Sequence, residues 1–388
     1  MFTRLRLPLL GALLTVLTLS GCALTRPEPA SDEVRRMAGQ MLLVGFRGSE
    51  PGAGTAEELP ILRQVSQLHL GGVILFDRDV AAGAGVLRNV TSPEQVARLN
   101  AALRMSAQDA GLPPLFIAVD QEGGRVERLK PVYGFPSSPP AAELCPGGDP
   151  QPALLAGKSV GQTLRTAGFN LDFAPVADVN VNPANPVIGG LGRSFSADPQ
   201  AVATCAGAFA EGLHGSGVLT AAKHFPGHGS STKDSHLGFT DVSGTWSEAE
   251  LLPFAELIRQ GQADMIMTAH VFNNHLDPTY PATLSAPTIN GLLRAKLGFS
   301  GVVVTDDMQM RAVSAHYGLK ESIRLAVLAG ADILLFGNNL QYDPQLPEKA
   351  VGALVELVEE NKVTPLRLRQ SWERIQALKL RLSRTEGM

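Results

Sequence analysis

Eight short stretches of the chain are apolar at nearly every position: residues 41–46, 72–76, 115–120, 171–175, 218–222, 265–269, 302–305 and 333–336. A strand with one wet face alternates apolar and polar residues, so these near-continuous runs predict strands buried on both faces of a parallel sheet. Helical spacing of apolar residues separates them. Two of the intervening helices carry start signals. Ser92, Pro93 and Gln95 supply an N-cap, a proline at the first helical position and a capping-box partner. Ser247 with Glu250 reads as a second capping box, with Trp246 and Leu251 as a hydrophobic staple around it. Strand and helix in alternation predict an α/β fold. Eight strands in 388 residues, somewhat more than the ~250 typical of such a barrel, fit a single-domain TIM-type (β/α)8 barrel with insertions better than two domains. No low-complexity linker interrupts residues 35–382, and no short internal repeat is visible.

The N-terminus has a different pattern. Arg4 and Arg6 precede an apolar run from Leu7 to Leu19, which ends in Leu19-Ser20-Gly21-Cys22. That run is too short to span a bilayer comfortably and reads as a cleaved secretory signal. The small residues before Cys22 resemble a bacterial lipoprotein cleavage box, in which the cysteine becomes the lipidated first residue; an ordinary signal peptide with an incidental cysteine is the alternative. Acyl chains contribute about 0.8 kcal/mol per buried methylene, so several of them anchor stably where one does not. The expected organisation is therefore a signal peptide over 1–21, a Pro-rich polar tether over 22–32 and a barrel domain over 33–388. Ala23 carries no aspartate retention signal, which points to the periplasmic side of an outer membrane. Cys145 and Cys205 are the remaining cysteines, and in such a compartment they pair or stand as two isolated thiols. A net charge of −4 with no long basic run argues against nucleic acid as a partner.

In a parallel barrel the chemistry sits at the carboxyl ends of the strands. The segment Lys223-His-Phe-Pro-Gly-His-Gly-Ser-Ser-Thr-Lys-Asp-Ser-His236 follows the fifth run and holds three of the eight histidines, with Gly227 and Gly229 expected to leave a mobile polar loop carrying Asp234 and His236. The third run ends in Asp120-Gln-Glu-Gly-Gly-Arg-Val-Glu-Arg128, a charged cluster made pliable by glycines. The fourth leads through Asp172 and Asp178 to Arg193 on a Gly-rich loop, where turn and cap hydrogen bonds are an equal reading of the two aspartates. The sixth ends at His270, which as a lone histidine reads equally as a satisfied core group. The seventh ends at Asp306-Asp307, adjacent carboxylates that repel each other and are costly without a purpose.

Together these motifs resemble glycoside hydrolase family 3, in its single-domain β-N-acetylhexosaminidase branch. The resemblance runs from about Arg35 to Arg381 and rests on Val119-Asp-Gln-Glu-Gly-Gly-Arg125, Arg193-Ser-Phe195, Lys223-His-Phe-Pro-Gly-His-Gly229, Asp234-Ser-His236 and Val304-Thr-Asp-Asp307 in that order. It implies Asp306 as nucleophile, His236 as acid/base and Asp234 as its partner, with Asp120, Arg128, Arg193, Lys223 and His224 holding N-acetylglucosamine. It implies no metal and no cofactor, and a substrate that is an oligosaccharide ending in N-acetylglucosamine, such as a peptidoglycan fragment. The run Gly189-Gly-Leu-Gly192 departs from the family, where more polar residues are expected.

The residue types suit that chemistry. A retaining glycosidase needs one group to attack the anomeric carbon and one to protonate the leaving oxygen. A histidine with an ordinary pKa near 6.5 donates when charged and activates water when neutral, and Asp234 would orient its ring. Two rivals remain on the same residues. A metal-dependent amidohydrolase would use His224, His228, His236 and His270 as ligands and fail in chelator. A sugar-binding lipoprotein would bind N-acetylglucosamine without turnover. Within the enzyme reading, phosphate in place of water as acceptor is told apart by a product assay.

Overall fold

The computed structural model describes residues 31–52, 59–83 and 85–386. The expected signal segment and Cys22 lie outside the described residues. Eight parallel strands form the sheet: β1 Leu42–Gly45, β2 Gly72–Ile74, β3 Phe116–Val119, β4 Leu171–Asp172, β5 Leu219–Phe225, β6 Met265–Thr268, β7 Val302–Thr305 and β8 Leu334–Phe336. Each strand pairs with the next from β1 to β7, and β8 pairs with β1. A parallel bridge between Val304 and Ile333 completes the ring. The expected (β/α)8 barrel is thus the observed fold, and every residue of these strands is buried, which is why their sequences run apolar without alternation.

Boundaries differ where side chains override the apolar pattern. The fifth strand continues through Lys223, His224 and Phe225, so two polar residues expected just past its end lie inside it. The fourth stops at Asp172, where Pro175 lacks the N–H to extend the ladder.

The helix signals divide in the same way. In the helix Pro93–Asp109, the Ser92 hydroxyl accepts from Gln95 N at 3.2 Å, as the sequence predicts, while the Gln95 carbonyl reaches back to Thr91 N at 2.9 Å. Ser247 makes no side-chain cap, and the segment begins as a 3-10 turn, Glu248–Leu251. The Glu250 carboxylate instead accepts from Ser230 N at 3.3 Å, and the Trp246 indole donates to Pro226 O at 2.9 Å. Both side chains are thus drawn to the loop after β5.

The helix Pro365–Glu386 closes the opposite, amino-terminal end of the barrel. Its Lys379 is fully buried there, donating to Gln40 Oε1 and Gly71 O at 2.9 and 2.8 Å above the Phe116 ring. Cys145 and Cys205, left open by the sequence, form a disulfide with a Cα separation of 6.0 Å.

Candidate active site

At the carboxyl ends of the strands lies a cavity of about 500 Å³, and all eight candidate residues Asp120, Arg128, Arg193, Lys223, His224, Asp234, His236 and Asp306 line it. They come from the ends of β3, β5 and β7 and from the loops after β3, β4 and β5.

The floor is a lattice of charges, with Glu122, Arg193 and Lys223 buried and Asp120 and Arg128 half-buried. Lys223 Nζ lies 2.8 Å from Asp120 Oδ1 and 2.6 Å from Glu122 Oε1. Arg193 grips Glu122 with two parallel bonds, Nε to Oε2 at 2.7 Å and Nη2 to Oε1 at 2.8 Å. Arg128 Nη2 reaches Asp120 Oδ2 at 3.3 Å. Burial favours the neutral acid, yet Arg193 and Lys223 hold Glu122 down at about 2. Burial likewise opposes the charge on Asp120, and Lys223 and Arg128 overcome it. Buried ions in such a lattice are rigid because each would be costly alone. Sugar hydroxyls thus meet fixed acceptors and donors.

His224 is oriented by Asp178, whose Oδ2 lies 2.6 Å from the ring Nδ1, while its Nε2 lies 3.4 Å from Arg193 Nη2. Asp178 Oδ1 also accepts from His228 N at 2.7 Å. Asp178 therefore does more than cap a turn. Asp172 accepts from Gln121 N at 3.0 Å under the same floor, and burial pushes its pKa well above the carboxylate range.

The two aspartates after β7 separate in role. Asp306 is half-buried, and its desolvation by itself raises its pKa, but His270, His224 and His236 reverse that and favour the ionised form. Asp307 is pushed up to about 6 by burial. Its Oδ1 accepts from Gln309 N and Gly337 N, both at 3.0 Å, so it braces the loop ends of β7 and β8. His270 is fixed at both ring nitrogens, with Nδ1 2.9 Å from Thr283 Oγ1 and Nε2 2.9 Å from the Asp307 carbonyl.

His236 Nδ1 lies 2.8 Å from Asp234 Oδ1, which also accepts from His236 N at 2.8 Å. The ring is about half exposed, at 48 %. With Nδ1 so occupied, Nε2 is the nitrogen left to exchange a proton with a ligand. The glycine-bearing stretch behind it is packed in place, while residues 232, 233, 236 and 237 of the loop that carries the pair are exposed. Residues 226–231 are buried, with backbone groups satisfied by Asp178, Asn185 and Glu250. A Cβ on Gly229 would meet Val179 O at 1.7 Å, so that glycine permits close packing. The unexpected Gly189 has a similar reason, since a Cβ there would lie 2.5 Å from Asn180 Oδ1.

The sequence left Glu122 without a role although it sits inside a quoted motif. It gave no signal at all for Asp77 and Lys130, which pair at 2.5 Å on another wall of the cavity. Of the four histidines weighed as metal ligands, His224, His228 and His270 have both ring nitrogens near protein partners. Among the described residues no group of three or more acidic, histidine or cysteine side chains is arranged to hold a metal ion.

Comparison with known proteins covers the same span. The model of the family "Glycosyl hydrolase family 3 N terminal domain" matches residues 34–378. Beta-hexosaminidase A of Pseudoalteromonas piscicida is 33 % identical over 91 % of this chain and 62 % of its own length. The beta-hexosaminidase of Tolumonas auensis is 39 % identical over 73 % of this chain and 79 % of its own. Among solved structures, a glycoside hydrolase family 3 beta-N-acetylglucosaminidase from Paenibacillus superposes with a TM-score of 0.81 at 37 % identity, over 90 % of this chain and 62 % of that one. A beta-N-acetylhexosaminidase from Beutenbergia cavernae gives 0.77 at 30 %, over 89 % and 98 %. The chain thus spans less than two thirds of the Pseudoalteromonas and Paenibacillus proteins and nearly all of the Beutenbergia one. A family match across the barrel and the site at its mouth makes this chain a member of glycosyl hydrolase family 3.

Proposed function

We propose that this chain is a retaining β-N-acetylhexosaminidase that removes terminal β-linked N-acetylglucosamine. The observation that carries the reading is the meeting, in one cavity, of an ionised, half-buried aspartate, an Asp-His pair at the rim and a rigid charged floor. Asp306 attacks the anomeric carbon while charged His236 gives its Nε2 proton to the departing oxygen, so the glycosidic bond breaks as the aspartyl ester forms. Neutral His236 then takes a proton from water, whose oxygen displaces Asp306 and releases the sugar. Asp234 accepts from Nδ1 and supports the charged ring. Asp120, Arg128, Arg193, Lys223 and His224 hold the sugar hydroxyls and the N-acetyl group.

A panel of aryl glycosides differing only in the sugar tests this. N-Acetyl-β-glucosaminides will be cleaved and plain β-glucosides hardly at all; equal rates on both would sink the assignment. Added phosphate will leave the product as free sugar, water being the acceptor.

The same reading places the enzyme in the cell envelope, lipid-anchored through Cys22 on the periplasmic side of the outer membrane and acting on peptidoglycan fragments. The Cys145–Cys205 disulfide supports an oxidising compartment. Mass spectrometry of the mature protein is expected to find a lipidated Cys22 at the amino terminus, and Cys22→Ser should leave the membrane fraction. An unmodified terminus, or a Cys22→Ser protein that still fractionates with membranes, counts against the anchor.

A further inference from the structure

Between Phe225 and Thr240 the chain has no helix or strand, yet this segment must present the His236 ring to a ligand with little freedom. Proton transfer and orientation tolerate errors of only about 0.5 Å. One buried side chain crosses the loop. His228 is 2 % exposed. Its Nδ1 lies 2.8 Å from Ser231 Oγ and its Nε2 lies 2.9 Å from Ser235 Oγ. Ser235 is itself buried, although its neighbours Asp234 and His236 are not. Both ends of this crossing are fixed. Asn185 Nδ2 donates to Ser231 Oγ at 3.0 Å and to His228 O at 2.7 Å. His228 N donates to Asp178 Oδ1, the carboxylate whose other oxygen orients His224 on the cavity floor. Ser235 O in turn accepts from Ala312 N at 3.3 Å.

We propose that His228 is a positioning residue for the acid/base: its imidazole bridges Ser231 at the root of the loop to Ser235 beside His236, and so ties the proton donor to the sugar subsite through Asp178. The proposal rests on His236 being the acid/base. Burial lowers the His228 pKa to about 4, so the ring is neutral at working pH. A neutral imidazole has one N–H and one lone pair, which makes the bridge directional: one serine hydroxyl accepts and the other donates.

Asparagine places its amide near the Nδ1 position and glutamine near the Nε2 position, so the two variants separate the halves of the bridge. The full mature chain and its Ser235→Ala, His228→Asn, His228→Gln and His236→Ala variants are compared in single-turnover glycosylation. The probes are a nitrophenyl N-acetyl-β-glucosaminide and a β-linked N-acetylglucosamine disaccharide. Ser235→Ala and His228→Asn are expected to lose roughly 10- to 100-fold on the disaccharide and under about 3-fold on the nitrophenyl substrate, because only the first needs its leaving oxygen protonated. His228→Gln restores the disaccharide rate to within about 3-fold of the parent, by keeping the partner of Ser235. Equal losses on both substrates, or no loss, overturn the bridge when His236→Ala remains leaving-group dependent. If His236→Ala is itself independent of the leaving group, the acid/base assignment falls and takes the bridge with it.

Discussion

Asp306→Asn is expected to abolish turnover while sugar binding survives. The substitution keeps the shape of the side chain, including the oxygen that accepts from Asp307 N at 2.8 Å, so the cavity is not disturbed. What it removes is the charged oxygen that must bond to the anomeric carbon. Losing a nucleophile in a comparable covalent mechanism costs about 10⁶-fold, or about 8 kcal/mol of barrier. The control is Asp307→Asn. Both backbone bonds to Asp307 go to one oxygen, Oδ1, from Gln309 N and Gly337 N, and an asparagine keeps that acceptor. Measurable activity is therefore expected to remain. A mechanism-based fluorosugar should add its mass to the peptide containing Asp306. A label on Asp307, or on no carboxylate, would overturn the assignment.

How well the sequence foretells this arrangement depends on how local each cause is. The barrel strands are legible because burial on both faces leaves them continuously apolar, a property of four or five consecutive residues. The Ser92 cap is legible for the same reason. Ser247 and Glu250 show the opposite case: the pattern is a capping box, but Glu250 lies against Gly227 and its carboxylate serves Ser230. Burial pushes its pKa up to about 7, an outcome no four-residue window contains. The charged floor is similar. Arg193 and Glu122 are 71 residues apart and Lys223 and Asp120 are 103 apart, so their pairing follows only from closure of the barrel. Asp172 and Asp178 carry the same symbol on the same strand exit. Only the fold decides that burial raises the pKa of one and that the other is drawn into a bond with His224.

For His236 the expected effect depends on the leaving group, and that dependence is the signature of its role. General acid assistance is worth roughly 10²- to 10⁴-fold, about 3 to 5 kcal/mol, but only when the departing oxygen is too basic to leave unaided. A nitrophenolate leaves without a proton; a sugar hydroxyl does not. His236→Ala should therefore cripple glycosylation by a natural disaccharide and largely spare it with a nitrophenyl glycoside. Asp234→Ala should show the same pattern in a milder form, because it removes the group that fixes Nδ1 at 2.8 Å but leaves the imidazole that carries the proton. Steady-state rates would mix this step with the later attack of water, where His236 acts as base on both substrates alike, so the comparison belongs in single-turnover measurements of glycosylation. Equal losses on the two substrates there would remove His236 from the role of acid, since a residue that merely shaped the cavity would act on the shared sugar and not on the group that departs.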